Sequence, residues 1–465
     1  MGMANHDIIV TNTMSELGTI NYLFFLGIIY FILFSALAFR SDKLALTLLV
    51  ALLPTYGLRF SVAGVPTTFL EISIWAVAIV WFYKQWQAHG LPHWPSYIQA
   101  NSEKNPFTPY LWPILLWILA ATAAAAISPN PVVALGIWKA YFVDPLIVFV
   151  LVVAVFRGTK ESWRLVYALG TTVAALSILA WYQKFTGQWL PEPWVTTLPL
   201  RVTSWYSYPN AVGLFVGPVL VAYITWLMQD IKREPPHLFL HLWKLLVVIL
   251  GTGAIIFSAT KGAWVGAAAG AVVGVLLIWQ NYWRRIIWGG VLASIVLLVF
   301  MPAARGVLME QFTFRSASGK MRLVVWEETI ALLKDHPIQG AGLAGYQTAL
   351  LPYHKEWRKD VSPYKLEIFL YPHNVFLNFW VELGLGGLII FLWLLFAFGK
   401  IVWQKRANPL TQLSAAAMVA LLVHGLVDVP YFKNDLAVLF WIIMTLPLLG
   451  NFSSTNLYTP KNEAL

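Results

Sequence analysis

The sequence predicts an all-α, polytopic membrane protein, and three observations predict it. Hydrophobic residues make up 59% of the 465 and charged residues only 11%, against roughly 25% charged in an ordinary soluble domain. Apolar runs of about 20 residues recur along the whole chain, each long enough to cross a hydrocarbon core about 30 Å thick as a helix. The alternating runs of about ten residues that build a membrane β-barrel are not found, and backbone in lipid must be satisfied within its own segment. This composition excludes a soluble enzyme, a disordered chain and a nucleic-acid-binding module. With no cysteine there is no disulfide, no thiolate nucleophile and no Cys-ligated metal.

Thirteen candidate helices follow in order: about 20–39, 43–58, 68–84, 110–127, 133–156, 163–185, 211–229, 240–258, 262–280, 285–302, 373–399, 411–429 and 435–450. The second and third are short and separated by Pro54, Gly57, Gly64 and Pro66, so they are expected to bend or sit partly re-entrant. About 12–13 transmembrane helices result.

The loops between them alternate in charge. One set carries Arg40 and Lys43, Lys84 and Lys104, then Arg157, Lys160 and Arg164. It continues with Lys232, Arg233 and Lys244, then Arg284 and Arg285, then Lys400, Lys405 and Arg406. The opposite short loops carry only Arg59, Arg201, Lys261 and Lys433. The positive-inside rule puts the first set in the cytoplasm and segment 303–372 outside. Thirteen spans leave the N-terminus outside; twelve, with one early segment not crossing, leave it inside. The basic groups are therefore a topology signal, not a nucleic-acid surface.

The few basic residues on the outer side have no orienting role and need another explanation. Lys139, Glu71, His373, His424 and Asp428 fall on the same side. His424 and Asp428 are i and i+4 and share one helix face. Charges at membrane depth face a cavity or a partner, so one outward-opening polar cavity is expected. The long outer segment carries its own structure. Ser318 is expected to cap a helix from Gly319 to Lys334, with Leu323, Trp326, Ile330 and Leu333 as its apolar face. Asp335, His336 and Pro337 stop it, Gly340, Gly342 and Gly345 make a turn, and a second amphipathic stretch covers Tyr346–Trp357.

There is no P-loop, no G-x-G-x-x-G after a strand, no H-E-x-x-H and no D-x-D. A nucleoside-diphosphate donor held by a metal is thus not expected, nor any cofactor. What exists is an outward basic group, Arg201, Lys261 and Arg322, with His373; cations of this kind suit a phosphate-bearing substrate. Taken singly, each has a structural reading: Arg201 a snorkelling side chain, Lys261 an interfacial anchor, Arg322 a solvated helix charge, His373 a helix cap. After His373 come Asn374, Asn378 and Glu382 at one-turn spacing, a polar stripe on an apolar helix.

Together the motifs resemble the O-antigen ligase and polymerase superfamily. They are Arg201 with Pro209-Asn210, Ser258-x-Thr260-Lys261-Gly262, and Arg322-x-x-x-Trp326 with Pro337-x-x-Gly340-x-Gly342. They continue with His373-Asn374, Glu382-x-Gly384-x-x-Gly387 and His424-x-x-x-Asp428-x-Pro430. The resemblance covers about residues 200–435, between N-terminal helices in 1–199 and a last helix and tail in 436–465.

It implies a metal-independent glycosyltransferase of the GT-C kind in the bacterial inner membrane, its active site facing the periplasm or cell exterior. The donor would be a glycan on undecaprenyl diphosphate, and the acceptor a lipid A core sugar, another glycan or, in some relatives, protein. The family's diphosphate-binding Arg pair falls on Arg201 and on the position of Lys261, and its essential His on His373. Lys261 departs from the usual Arg, and thirteen spans from the usual twelve.

The residues suit that chemistry on their own terms. Fixed cations stabilise a departing diphosphate, and a neutral His takes the proton of a sugar hydroxyl. Glu382 lies about 13 Å along the helix from His373 and is assigned a structural role. His424 is the second-choice base, with Asp428 orienting it and Asn374 in support. The alternative is a transporter or flippase for an anionic solute, which would hold its charges near the midplane between repeats; a third reading is an intramembrane scaffold.

Overall fold

The computed structural model describes residues 14–62, 65–89, 107–231, 238–279, 290, 317–357 and 366–450. The chain is an all-α polytopic membrane protein. Its helices are α1 (Met14–Arg40), α2 (Asp42–Ala51), α3 (Phe69–His89), α4 (Leu111–Ala126), α5 (Pro131–Trp138), α6 (Asp144–Phe156) and α7 (Trp163–Thr186). There follow α8 (Pro209–Ile231), α9 (Leu238–Ser258), α10 (Lys261–Ile278), α11 (Ala317–Asp335), α12 (Tyr346–Leu350), α13 (Val375–Gln404), α14 (Pro409–His424) and α15 (Asn434–Leu449). Among the described residues seven segments are long and apolar enough to cross a membrane, with shorter apolar helices at α4, α14 and α15. The one sheet among those residues is a hairpin of β1 (Arg59–Val62) and β2 (Val65–Thr68).

Most candidate helices match one segment to within a few residues. The 133–156 candidate is α5 and α6 joined by a π turn over Lys139–Val143. The 285–302 candidate lies outside the described residues. The 43–58 candidate is corrected: α2 has 10 residues and gives way to a 3₁₀ turn over Leu53–Gly57. At 1.5 Å per residue such a helix reaches about 15 Å, half a hydrocarbon core, and Pro54 ends it.

α8 forms the centre of the bundle, with most of its residues buried, and packs on α7, α9, α10 and α14. α1 lies at the periphery, where Phe25, Ile29, Ile32 and Leu33 are exposed as a lipid-facing surface requires. Between these extremes one hydrophobic cluster runs from Phe34 to Leu449. Gly266 and Gly270 let α10 lie directly on the backbone of α14, since a Cβ at either would strike the Ala420 or Ala416 carbonyl.

Residues 317–357 sit over one end of this bundle and are fastened there by backbone bonds. α13 breaks at Gly384, in the left-handed region at φ 74°. The break admits the chain around Ile338, whose carbonyl accepts from Leu385 N–H at 3.0 Å, while Ala341 N–H donates to the Val381 carbonyl at 2.7 Å. Leu343 N–H reaches Ala124 of α4 at 3.0 Å. Glu382 accepts from Ala344 N–H at 2.7 Å and so serves the loop. Three sequence expectations shift: Leu323 and Ile330, expected on the apolar face of α11, are exposed, and Val324, Val325 and Leu332 are buried with Leu333 instead. Ser318 lies inside α11, which already begins at Ala317, and does not cap it. The amphipathic stretch after Gly345 is helical only to Leu350, followed by a 3₁₀ turn over Leu351–Tyr353.

Candidate functional site

At the end of the bundle under α11, four loops converge. The first follows α7 and carries Arg201. It is shaped by Gln183, whose side-chain oxygen accepts from Thr203 N–H (3.0 Å) and Ser204 N–H (2.7 Å). The same amide donates to the carbonyls of Trp189 (2.8 Å) and Ser204 (2.9 Å). All four hydrogen-bonding positions of a buried amide are thereby used. Arg201 emerges half-buried. Its Nε donates to the Ser258 carbonyl at 2.9 Å, its Nη2 to Asn210 Oδ1 at 3.0 Å, and its guanidinium lies 5.3 Å from the Trp194 ring centre. Among the described residues no carboxylate pairs with it. Burial, and then the charge of Arg322, lowers its pKa from the ordinary guanidinium value, which is high enough that the group stays charged.

Asn210, at the start of α8, passes the connection onward. Its Nδ2 donates to Asp428 Oδ2 at 2.9 Å. The other oxygen of Asp428 accepts from Val429 N–H at 2.9 Å and lies 3.5 Å from His373 Nδ1, longer than an ordinary hydrogen bond. Burial opposes the Asp428 charge, but His373, His424 and the Val429 N–H outweigh it and hold the carboxyl well below the usual carboxylate range.

His373 is held by its neighbours. It precedes α13 rather than starting it, and its backbone is left-handed at φ 49°, a strained conformation for a residue with a Cβ. Asn374 is the N-cap: its Oδ1 accepts from Phe376 and Leu377 N–H at 3.0 and 3.1 Å, and its Nδ2 donates to Leu426 at 3.0 Å. Val375 N–H reaches the Gly425 carbonyl at 2.8 Å. α11 then straps both loops from above. Arg322 Nε donates to the Val427 carbonyl at 2.8 Å, and Trp326 Nε1, one turn on, to the Pro372 carbonyl at 2.8 Å. That is the physical content of the Arg322-x-x-x-Trp326 spacing.

The two histidines differ in access. The His373 side chain is 30% exposed, whereas His424 is buried at the end of α14 with Gly262 and Gly266 against it. α14 ends at His424, so Asp428 lies beyond the helix and the expected i, i+4 pair does not form on it. Asp428 faces His373 instead. Lys261 opens α10 at the same end, exposed, three residues after the Ser258 carbonyl that holds Arg201. Sequence reasoning missed Gln183 and the bridging part of Asn210, because both act across loops distant in the chain. Among the described residues no group of three or more His, Asp and Glu is placed to hold a metal.

Fold and site thus define a polytopic membrane protein that gathers cations and an accessible imidazole at one end of its bundle. Residues 246–392 match the family described as O-antigen ligase. Over 233 residues the chain is 24% identical to a Rickettsia conorii protein provisionally named polysaccharide ligase, covering 48% of this chain and 53% of that relative. The chain therefore spans about half the length of the curated relative it matches. Both matches bear out the resemblance to the O-antigen ligase superfamily. Lys261, Arg322 and His373 lie within the matched residues; Arg201, His424 and Asp428 lie outside them.

Proposed function

We propose that the chain is a membrane glycosyltransferase of the O-antigen ligase type, GT-C in kind, with its catalytic region in about 200–435. It moves a glycan from undecaprenyl diphosphate to a sugar hydroxyl of a lipid A core or another glycan, at the outer face of a bacterial inner membrane. The observation that carries this reading is the run Arg201–Asn210–Asp428–His373, which couples a cation lacking a carboxylate partner among the described residues to an accessible imidazole.

The glycosyl carbon bonds to the acceptor oxygen as its bond to the diphosphate oxygen breaks. The leaving diphosphate keeps the electron pair and gains charge, facing Arg201, Arg322 and Lys261. Such cations act more strongly on the transition state than on the ground state. The acceptor proton passes to His373. Asp428 keeps the proton of the neutral ring on Nδ1, leaving Nε2 free to accept. Nucleophile activation and leaving-group neutralisation are then supplied by side chains, so no metal is required, and activity is expected to survive EDTA.

The loop charges support the outward placement. Impermeant labelling of single cysteines introduced at 320 and 370 tests it: labelling from the outer side is expected, and labelling only from the cytoplasm would end the reading. Donor consumption by purified Arg201→Ala tests the chemistry, with transfer lowered by about 10²-fold or more in a folded protein as the expected result.

A further inference from the structure

Lys433 is an outer-loop cation that neither the topology nor the proposed reaction uses. It immediately precedes α15, and its ammonium lies 4.5 Å from the ring centre of Tyr208, 5.1 Å from Tyr206 and 5.4 Å from Tyr56. Its Nζ donates to Tyr56 Oη at 2.9 Å. An ammonium has three N–H donors, so two remain for another acceptor.

Its nearest charges do not neutralise it. Asp435 acts on Lys433 electrostatically but forms no ion pair with it; its oxygens are taken by Tyr206 Oη at 3.1 Å and Leu436 N–H at 3.0 Å. Asp428, also within electrostatic reach, is engaged by Asn210 and Val429 and faces His373 at 3.5 Å. Arg59, exposed at the start of β1, adds a second positive charge. Tyr56 and Tyr206 are buried behind the group, while Lys433 and Tyr208 are half-buried. Partial burial of a cation carries a desolvation cost that a bound anion would offset.

Tyr208 also lies two residues before Asn210, so this cluster borders the Asp428–His373 pair. We infer that Lys433 and Tyr208, backed by Tyr56 and Tyr206, form a second subsite that binds an acidic sugar unit of the glycan substrate through its phosphate or carboxylate group. The tyrosine face takes the apolar side of the ring and the ammonium takes the anion. The inference rests on the glycan-transfer reading for its biological ligand. All four residues lie outside the matched region 246–392, so the subsite would set which glycan is used.

The experiment is ligand-observed NMR on the full chain in phosphatidylcholine nanodiscs, with farnesyl diphosphate present to fill the Arg201 site. Glucose 6-phosphate and glucuronic acid are expected to bind at least about tenfold more tightly than glucose. Lys433→Gln removes that preference and Lys433→Arg keeps it. No preference in the native protein, or one that survives Lys433→Gln, overturns the subsite. If Lys433→Gln does not fold, Tyr208→Ala decides: it must weaken both acidic sugars, and unchanged binding overturns the inference. Farnesyl diphosphate binding, and its weakening by Arg201→Ala, reports separately on the donor site. Failure there faults the transfer reading, whereas failure of the sugar preference alone faults only the subsite.

Discussion

Two buried polar clusters lie at opposite ends of α8, about 33 Å apart at 1.5 Å per residue. At the Ile231 end, Lys244 donates to both oxygens of Asp230 at 2.8 Å and lies 4.2 Å from the Trp226 ring, with its side chain fully buried. At the Pro209 end, Arg201 has a carbonyl, an amide and a ring, and no described carboxylate. The first cluster is electrically closed and needs nothing further. The second leaves a positive charge without a described counter-charge at the end of the bundle that also carries the accessible imidazole of His373. Charge alone does not distinguish structure from function here; the presence or absence of a local counter-charge does.

Substitutions should separate the two ends. The largest effect is expected at the open end: His373→Gln and Arg201→Ala should each lower transfer by about 10²-fold or more, with thermal unfolding in detergent little changed. At the closed end the pattern should invert. Asp230→Asn leaves the Lys244 charge buried and uncompensated, which typically costs about 3–5 kcal/mol. Denaturation of that variant should show the loss, whereas the double change Asp230→Leu, Lys244→Met should recover most of it.

Smaller effects sharpen the contrast. Lys261→Arg should retain or raise transfer, because the guanidinium fork fits a diphosphate better than a point charge, while Lys261→Ala should impair it less than Arg201→Ala does. Initial rates across the three variants check this. The smallest effect concerns pH. Asp428 is held below the usual carboxylate range, so its charge stabilises the fold fully above its unfolded pKa, about 3.9, and loses that effect only as pH falls toward the folded value. The stability gap between native protein and Asp428→Asn should shrink as pH falls below about 4. A gap that is unchanged below pH 4 would contradict the depressed carboxyl.

The helices were legible because apolar runs and helix length are local properties. The 163–185 expectation became Trp163–Thr186, and 262–280 became Lys261–Ile278. The candidate site was legible as a set of residues at one end of the bundle, through the sparse charges of one set of loops. Its wiring was not. The i, i+4 rule joined His424 to Asp428, but α14 stops at His424, and past a helix end the rule has no force. Asn210 meets Asp428 across 218 positions, a contact set by packing that no local pattern encodes. The left-handed backbone of His373 is equally invisible, because residue type alone does not fix it.

In the proposed reaction the imidazole facing Asp428, and not the buried one, takes the acceptor proton. Donor binding and single-turnover transfer measured side by side for His373→Gln and His424→Gln test it most directly. The expected result is donor binding within about threefold of native for His373→Gln, with turnover down by about 10²-fold or more, while His424→Gln keeps the larger share of its turnover. Turnover lost in His424→Gln and retained in His373→Gln would contradict it.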